Sequence, residues 1–585
     1  MLVKPGAPGY VIVMRERHAR FRSSEDQIQK HGAWRLGDRI LKSRSVGYGH
    51  LDNTGRVEGA AQFGGKGLSG LLAAEKGQSL FAALVVIAVV VAAAVRWYGL
   101  AANSLWFDEG YTLWLSQFSP RDIWERLRED TSPPLYYWLV HFWTRLFGIS
   151  ETALRGMSAF FATVSIPLFF GLAKQVLQKK TAVLALWLYA VCVFQVHYAK
   201  EARFYALLAF CSIASLYCLI KFLDQGTLVS FVGLVMALAA GLYTHNMMWF
   251  YMPGLVLAWL LYPSGHSLGR RVRDGLLCGT LVLLIYLPWF PSLVMQTRAV
   301  ASFFWVPKPT PRDLADIIFK LSGLDFFYIY KVFYLMLPVW PFSHARAFTL
   351  ALMLPLVPCV AFTLWKVAPW GRRKAVALLC YSLGPVLLAF FYSLRSTSVF
   401  LDRTFIASSA VLLILISCSV AYHTGIKRRL SGALAAAVLL GSTISLIGFF
   451  KYHQTEDWRG MTEYLNGIPG QKRLIVFATG ASQALFDYYS TRSQDPRHAE
   501  TGLPKKFNLE YSQSGPKNSD EQAVISLREA VGSASFDEID VIVSHAPQQR
   551  RELVQRYLEG WCASLEEEKF GGIKIVRCIT SRNGV

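Results

Sequence analysis

Residues 79–111 read SLFAALVVIAVVVAAAVRWYGLAANSLWFDEGY: an uncharged apolar run from Ser79 to Val95, then an acidic pair, Asp108-Glu109, shortly beyond it. A run of this kind reads as a bilayer span, here a helix from about Ser79 to Leu100. Carboxylates held at a membrane surface cost desolvation energy, so their presence beside a span points to chemistry.

The rest of the chain has the same character. Its 585 residues are 53% hydrophobic and 14% aromatic, with mean hydropathy +0.32. A soluble chain of this length would divide into several domains and would not need so much apolar sequence. The reading is a polytopic α-helical membrane protein. The formal charge is +21, but the basic residues sit in short clusters between apolar runs. In a membrane protein that pattern orients loops, which argues against nucleic acid as a partner. Cys192, Cys211, Cys218, Cys278, Cys359, Cys380 and Cys418 lie in apolar stretches and read as small core hydrophobes. Only Cys562 and Cys578 lie in the hydrophilic C-terminal region, and no CxxC pair or zinc spacing occurs. Both are expected on the oxidising side of the membrane, close enough to form a disulfide.

Charge placement orients the spans. Residues 1–75 are Gly-rich and basic, without the apolar core of a signal peptide, and read as a disordered cytoplasmic tail or as translated sequence upstream of a start at Met14. The first span then exits, carrying Asp108 with it, and Ala153 to Ala173 returns to the basic cluster Lys174–Lys180. Pro133 to Phe147 (PPLYYWLVHFWTRLF) is apolar but shorter than the roughly 20 residues of a spanning helix, and its Tyr and Trp suit the headgroup level. Charge placement decides more than length: a span here would put the Lys174–Lys180 cluster outside and invert the loops that follow. The segment is therefore read as a helix in the outer interface, preceded by a short amphipathic helix from Ser119 to Asp130. The remaining spans are Thr181–Val196, Tyr205–Leu223, Leu228–Tyr243, Met247–Tyr262, Gly275–Pro291, Ala347–Ala368, Ala375–Leu394, Thr404–Tyr422 and Ala433–Phe450. A loop from Ser292 to about Asp325 and a second interfacial helix, Phe326 to Trp340, lie between the seventh and eighth. This scheme has eleven spans and leaves the C-terminus outside.

The last part changes character. Arg473–Ala478, Asp540–Ser544 and Lys574–Ile579 are short apolar runs of strand composition, separated by helix-like stretches Ser482–Thr491, Ser519–Val531 and Gln548–Trp561. That alternation predicts a small parallel α/β domain. The acidic Glu566-Glu567-Glu568 reads as part of a turn, and no Gly-rich phosphate loop is present.

The polar residues that adjoin span ends on the outer side form one set: Asp108 and Glu109; His197, Lys200, Glu201, Arg203 and Tyr205; His245 and Asn246; Asp402 and Arg403. Each also has a plainer reading. The acidic pair caps the helix that follows it, Glu201 and Arg203 pair at the interface, His245 makes a structural hydrogen bond, and Arg403 snorkels. Arg155 and Arg395 read as structural. The clustering of the set at one membrane face is what favours function.

At these residues the chain resembles the GT-C glycosyltransferases, in particular the bacterial branch related to protein O-mannosyltransferases and to lipid A aminoarabinose and galacturonic acid transferases. The resemblance runs over about residues 80–460. It rests on Trp106-Phe107-Asp108-Glu109, Ser132-Pro133-Pro134-Leu135-Tyr136-Tyr137-Trp138, Leu146-Phe147-Gly148 with Glu151 and Arg155, Glu201-Ala202-Arg203-Phe204-Tyr205, Arg403, and Asp457-Trp458-Arg459. Members of the family often carry His or Lys before the Pro-Pro-Leu motif, where this chain has Ser132; the departure bears on sugar and acceptor more than on reaction class.

The resemblance implies a polytopic GT-C protein of about 11 transmembrane helices with a small C-terminal periplasmic α/β domain. Its parts would be the tail 1–75, a glycosyltransferase domain 76–451 with a large first periplasmic loop 101–152, and the α/β domain 452–585. It implies a bacterial inner-membrane enzyme with a periplasmic active site. A hexose or pentose would pass from a polyprenyl phosphate to a lipid, a glycan such as lipopolysaccharide, or a protein hydroxyl. Asp108 matches the family's catalytic carboxylate and would serve as general base, with Glu109 positioning the acceptor or the base. Arg203 and Arg403 would hold the donor phosphate, since a guanidinium fork suits it. Glu201, Tyr205 and His245 would orient sugar hydroxyls or the base. No cofactor is expected, because adjacent acids alone make a poor site for a divalent cation. The alternative class is a transporter or lipid flippase, which predicts internal repeats and charge at mid-membrane; no half-to-half similarity is visible.

Overall fold

The structure is a computed structural model. It describes residues 66–128, 130–302, 304–336, 372–421, 425–468, 472–490, 498–502, 520–532, 536–560 and 562–580. The chain divides into two units, Met1–Lys76 and Gly77–Val585. The expected tail falls almost wholly outside the described residues.

Helix α1, Lys66–Trp97, contains the first span from Gln78 onward. Leu80, Val86, Ile87 and Val90 stand exposed on it, as befits side chains whose solvent is lipid. Beyond a short loop come α2 (Phe107–Ser116), α3 (Pro120–Leu127) and α4 (Leu135–Phe147). Ser119 caps α3 by accepting the Asp122 N–H at 3.2 Å. Helix α4 buries Tyr136, Tyr137, Val140 and His141 against the protein and exposes Phe142, Leu146 and Phe147. It ends at Gly148, whose φ is 80°, and α5 (Glu151–Val176) turns back across the bundle.

Helices α6 (Lys179–Val191) and α7 (Val193–Ala199) meet at a 52° bend around Cys192, which is extended. The span expected from Thr181 to Val196 is thus a bent pair of helices. The bend lets Gln195 donate to the Ile406 carbonyl at 2.8 Å and brings His197 to the loop side. Then follow α8 (Tyr205–Gln225), α9 (Leu228–Thr244), α10 (Met248–Leu261) and α11 (Leu268–Tyr286). A 3-10 turn at Leu287–Trp289 carries α11 into α12 (Phe290–Ser302). The outer loop expected from Ser292 thus begins as helix. Next are α13 (Pro311–Leu321), α14 (Phe326–Met336), α15 (Arg372–Arg395), α16 (Ile406–Ala421) and α17 (Gly425–Tyr452).

Among the described residues seven helices are long and apolar enough to cross a membrane, or eight if the bent pair is one span, and α9 and α10 are apolar but shorter. Together they cover every expected span except Ala347–Ala368, which lies outside the described residues. The chain is a multi-pass membrane protein. The short α10 packs tightly on α15: a Cβ on Gly254 would sit 2.9 Å from the Cys380 carbonyl oxygen and the Tyr381 Cα. Small residues permit this backbone approach where no hydrophobic force drives helices together.

After α18 (Trp458–Gly467) the chain builds a five-stranded sheet. Its elements are β1 (Arg473–Phe477), α19 (Gln483–Ser490), β2 (His498–Gly502), α20 (Asp520–Gly532), β3 (Glu538–Val543), α21 (Gln548–Glu559), β4 (Cys562–Phe570) and β5 (Ile573–Thr580). The order is β2-β1-β3-β5-β4. Strands β2, β1 and β3 are parallel, with Leu474 opposite Ala499 and Ile539. Strand β5 runs antiparallel to β3 and pairs with β4 in a hairpin. The sheet is mixed where a parallel one was expected, because Gly571-Gly572, with φ 60° at Gly571, folds the chain straight back. Glu566-Glu567-Glu568 therefore lie in the edge strand β4, exposed to solvent, and not in a turn. Cys562 and Cys578 are joined by a disulfide, their Cα atoms 5.3 Å apart.

Candidate active site

The loop before α2 is held by a buried ion pair. Glu109, fully buried, takes a two-pronged contact from Arg155: Nε to Oε1 at 2.8 Å and Nη2 to Oε2 at 2.5 Å. Arg155 also donates to the carbonyls of Leu100 at 2.6 Å and Asn103 at 2.7 Å. Glu109 accepts the backbone N–H of Ala202 at 2.8 Å and of Trp106 at 3.2 Å. With every lone pair engaged, Glu109 anchors the turn 100–106 and the turn before α8 to α5. Glu109, expected to position the acceptor or the base, has its carboxylate engaged by Arg155, which was read as structural, and by two backbone N–H groups.

Asp108, one residue earlier on the helix, points the other way. Its Oδ2 lies 3.4 Å from Arg403 Nη1 and 3.9 Å from Arg203 Nε. Arg203 Nη1 donates to the Asp108 carbonyl at 3.2 Å and to Tyr137 Oη at 3.1 Å. The Nε of Arg203 and that of Arg403 are buried without a hydrogen-bond acceptor, so both guanidinium groups keep donors to spare around this carboxylate. Arg403, on a 3-10 turn at Asp402–Phe405, lies over the rings of Trp106, Tyr205 and Trp305 at 5.7 to 5.9 Å. Its neighbour Asp402 is paired with Lys320 at 2.6 Å.

His245, the C-cap of α9, packs its ring against Phe204 with centroids 4.5 Å apart. Its Nδ1 accepts the Met247 N–H at 2.9 Å, which leaves Nε2 to carry the proton of the neutral ring. Burial, with Arg203 and Arg403 nearby, pushes its pKa down to about 3, so the ring is a neutral donor. Glu201 faces a different space. Its Oε1 lies 3.0 Å from His197 Nε2, and its Oε2 is buried without a partner. The adjoining cavity of about 180 Å³ is lined by Trp106, His197, Lys200, Glu201, His453 and Phe450, among others. Burial, helped by the charge of Arg155, brings the Lys200 ammonium down to about 8.

Of the residues named from sequence, Asp108, Arg203, Tyr205, His245 and Arg403 come together, and Glu201 sits beside them on the cavity wall. Four residues that the sequence reading did not name adjoin this group. Asp130 accepts from Tyr111 Oη at 3.2 Å; burial raises its carboxyl above the ordinary range, against the pull of Arg203. Lys320 holds Asp402. Glu456 and His545, from beyond the last span, reach the loop at Phe107. Only Glu456 carried a signal, standing directly before the motif Asp457-Trp458-Arg459; Arg459 of that motif binds Glu151 at 2.5 Å. Among the described residues no group of three or more His, Cys, Asp or Glu is placed to hold a metal ion.

The architecture has counterparts. ArnT from Cupriavidus metallidurans bound to undecaprenyl phosphate superposes with TM-score 0.52 at 14% identity, covering 86% of this chain and 99% of that one. Its apo form gives TM-score 0.51 at 14% identity, covering 86% of this chain and 98% of the other. The chain has the GT-C fold. Residues 131–291 also match the family described as dolichyl-phosphate-mannose-protein mannosyltransferase. That match spans the Pro-Pro-Leu motif, the Glu201–Tyr205 segment and His245. No curated protein sequence matches the chain significantly.

Proposed function

We propose that the protein is a glycosyltransferase that moves a monosaccharide from a polyprenyl phosphate to a hydroxyl of an envelope acceptor, at the periplasmic face of a bacterial inner membrane. The observation that carries this reading is a single carboxylate, Asp108, half-enclosed by two guanidinium groups with unused donors on a GT-C fold. Asp108 takes the proton of the acceptor hydroxyl as that oxygen bonds to the anomeric carbon. The bond from that carbon to the phosphate oxygen breaks, and the polyprenyl phosphate leaves with its charge stabilised by Arg203 and Arg403. In this reading His245, as a neutral donor beside Arg203 and Arg403, would bind a sugar hydroxyl, and Glu201, on the wall of the adjoining cavity, would take part from that side. ArnT, which shares the fold, binds undecaprenyl phosphate, a lipid of the class proposed. The disulfide between Cys562 and Cys578 fits an oxidising compartment for the C-terminal domain.

Mass spectrometry of envelope lipids and proteins from a deletion strain is expected to show the loss of one hexose, pentose or uronic acid, which names both sugar and acceptor. Restoring the gene with Asp108→Asn should not return it, while the protein inserts normally. General bases contribute about 10²- to 10⁴-fold, so turnover above about a tenth of wild type would remove Asp108 from that role.

A further inference from the structure

The loop that carries Asp108 is held from its outer side by the C-terminal domain. Tyr489 Oη accepts the Leu105 N–H at 2.7 Å. Glu456 Oε2 accepts the Phe107 N–H at 3.1 Å and the Trp458 indole N–H at 2.7 Å. His545, in the turn between β3 and α21, stacks on Phe107 with centroids 4.4 Å apart. Its Nε2 lies 2.6 Å from Glu456 Oε1, which also accepts from Ser544 Oγ at 3.1 Å. One carboxylate–imidazole pair thus grips both the backbone and the ring of the residue directly before Asp108. Among the described residues His545 is, besides, the only non-glycine with positive φ, 53°. Left-handed backbone is disfavoured for a residue with a side chain and persists where the surroundings impose it, often at functional sites.

We propose that Glu456 and His545 form the positioning device by which the C-terminal domain sets Asp108 for glycosyl transfer, with His545 acting as the imidazolium. This rests on the reading of Asp108 given above. The groups facing the ring are Glu456 from the segment before α18, Asp108 from α2 and Arg403 from the 3-10 turn. Burial opposes charge on the ring, but the hydrogen bond and charge of Glu456, with Asp108 beyond, outweigh it and hold the His545 pKa above its ordinary value; Arg403 works against them. A raised histidine pKa keeps the ion pair whole below that raised value for as long as Glu456 stays ionised, and the pair is lost as pH rises through it.

The test uses the purified full-length protein returned to membranes of the deletion strain, which hold both native donor and unmodified acceptor. Initial rates of product formation are followed by mass spectrometry from about pH 6 to about pH 9. The wild type should lose rate on the alkaline side. His545→Asn, whose side chain tolerates the left-handed backbone, should lower kcat about 10- to 100-fold, the scale of a small misplacement of a catalytic group, with little change in KM. It should also abolish the alkaline limb. Glu456→Gln, which keeps the shape and the hydrogen bonds to Phe107 and Trp458, should do the same, and the double variant should be no worse than either. Unchanged rates and an unchanged alkaline limb in both variants, while Asp108→Asn is inactive, would overturn the inference alone. Absence of transfer by the wild type would overturn the glycosyl-transfer reading and the inference with it.

Discussion

Asp108 and Glu109 are adjacent acids with opposite fates, and the difference is one of direction on a helix. Successive residues there are about 100° apart, so when one carboxylate turns into the protein its neighbour turns toward the opening. Glu109 meets Arg155 on α5 and is consumed in holding the turn; Asp108 meets two arginines that retain free donors. Removing one partner of a buried ion pair leaves an uncompensated charge, at about 3–5 kcal/mol. Glu109→Gln should therefore lower the thermal unfolding midpoint together with activity, whereas Asp108→Asn should remove activity at nearly wild-type stability. Equal midpoints for Glu109→Gln and Asp108→Asn would contradict this division of labour. The sequence marked the pair as important, but its two adjacent letters carry no sign of which one faces inward.

At the scale of elements, docking of α19 on α2 couples the C-terminal domain to the helix that carries Asp108. A Cβ on Gly110 would lie 2.5 Å from Leu485 Cγ and under 3 Å from both its δ carbons, and Leu485 is itself buried. Gly110→Ala should therefore push α19 and α2 apart. Overpacking of this kind costs about 1–3 kcal/mol, and limited proteolysis should find the C-terminal domain cleaved faster in the variant. Equal cleavage rates would show that the contact carries no weight. The elements themselves were unequally legible. Long apolar helices declare themselves, and the aromatic α4 was rightly read as a helix. The bend at Cys192 was not, because nothing in its apolar surroundings distinguishes a broken helix from a straight one. Strand β4 was not legible either, since an edge strand pairs on one side only and its Ala563–Lys569 stretch need not alternate.

For the whole molecule, charge placement makes a single claim about sidedness: Asp108, His245, Asp402 and the C-terminus share the outer face. Single cysteines at positions 245 and 552, on a background free of the membrane-region cysteines, should react with an impermeant thiol reagent in intact spheroplasts. Labelling at 245 only after permeabilisation would sink the scheme and make Pro133–Phe147 a span. The membrane class, the run of spans and the identity of the acidic and basic residues at their ends were determined by the sequence by itself. Burial of apolar side chains in lipid and the bias of Lys and Arg between loops act locally, and so leave a local trace. Which of those charges meet was decided only by the tertiary structure. Arg403 reaches Asp108 across 295 positions of chain, and His545 reaches Phe107 across still more. Pairing of that kind follows from helix packing and from the docking of a domain, and neither is written in any short window of residues.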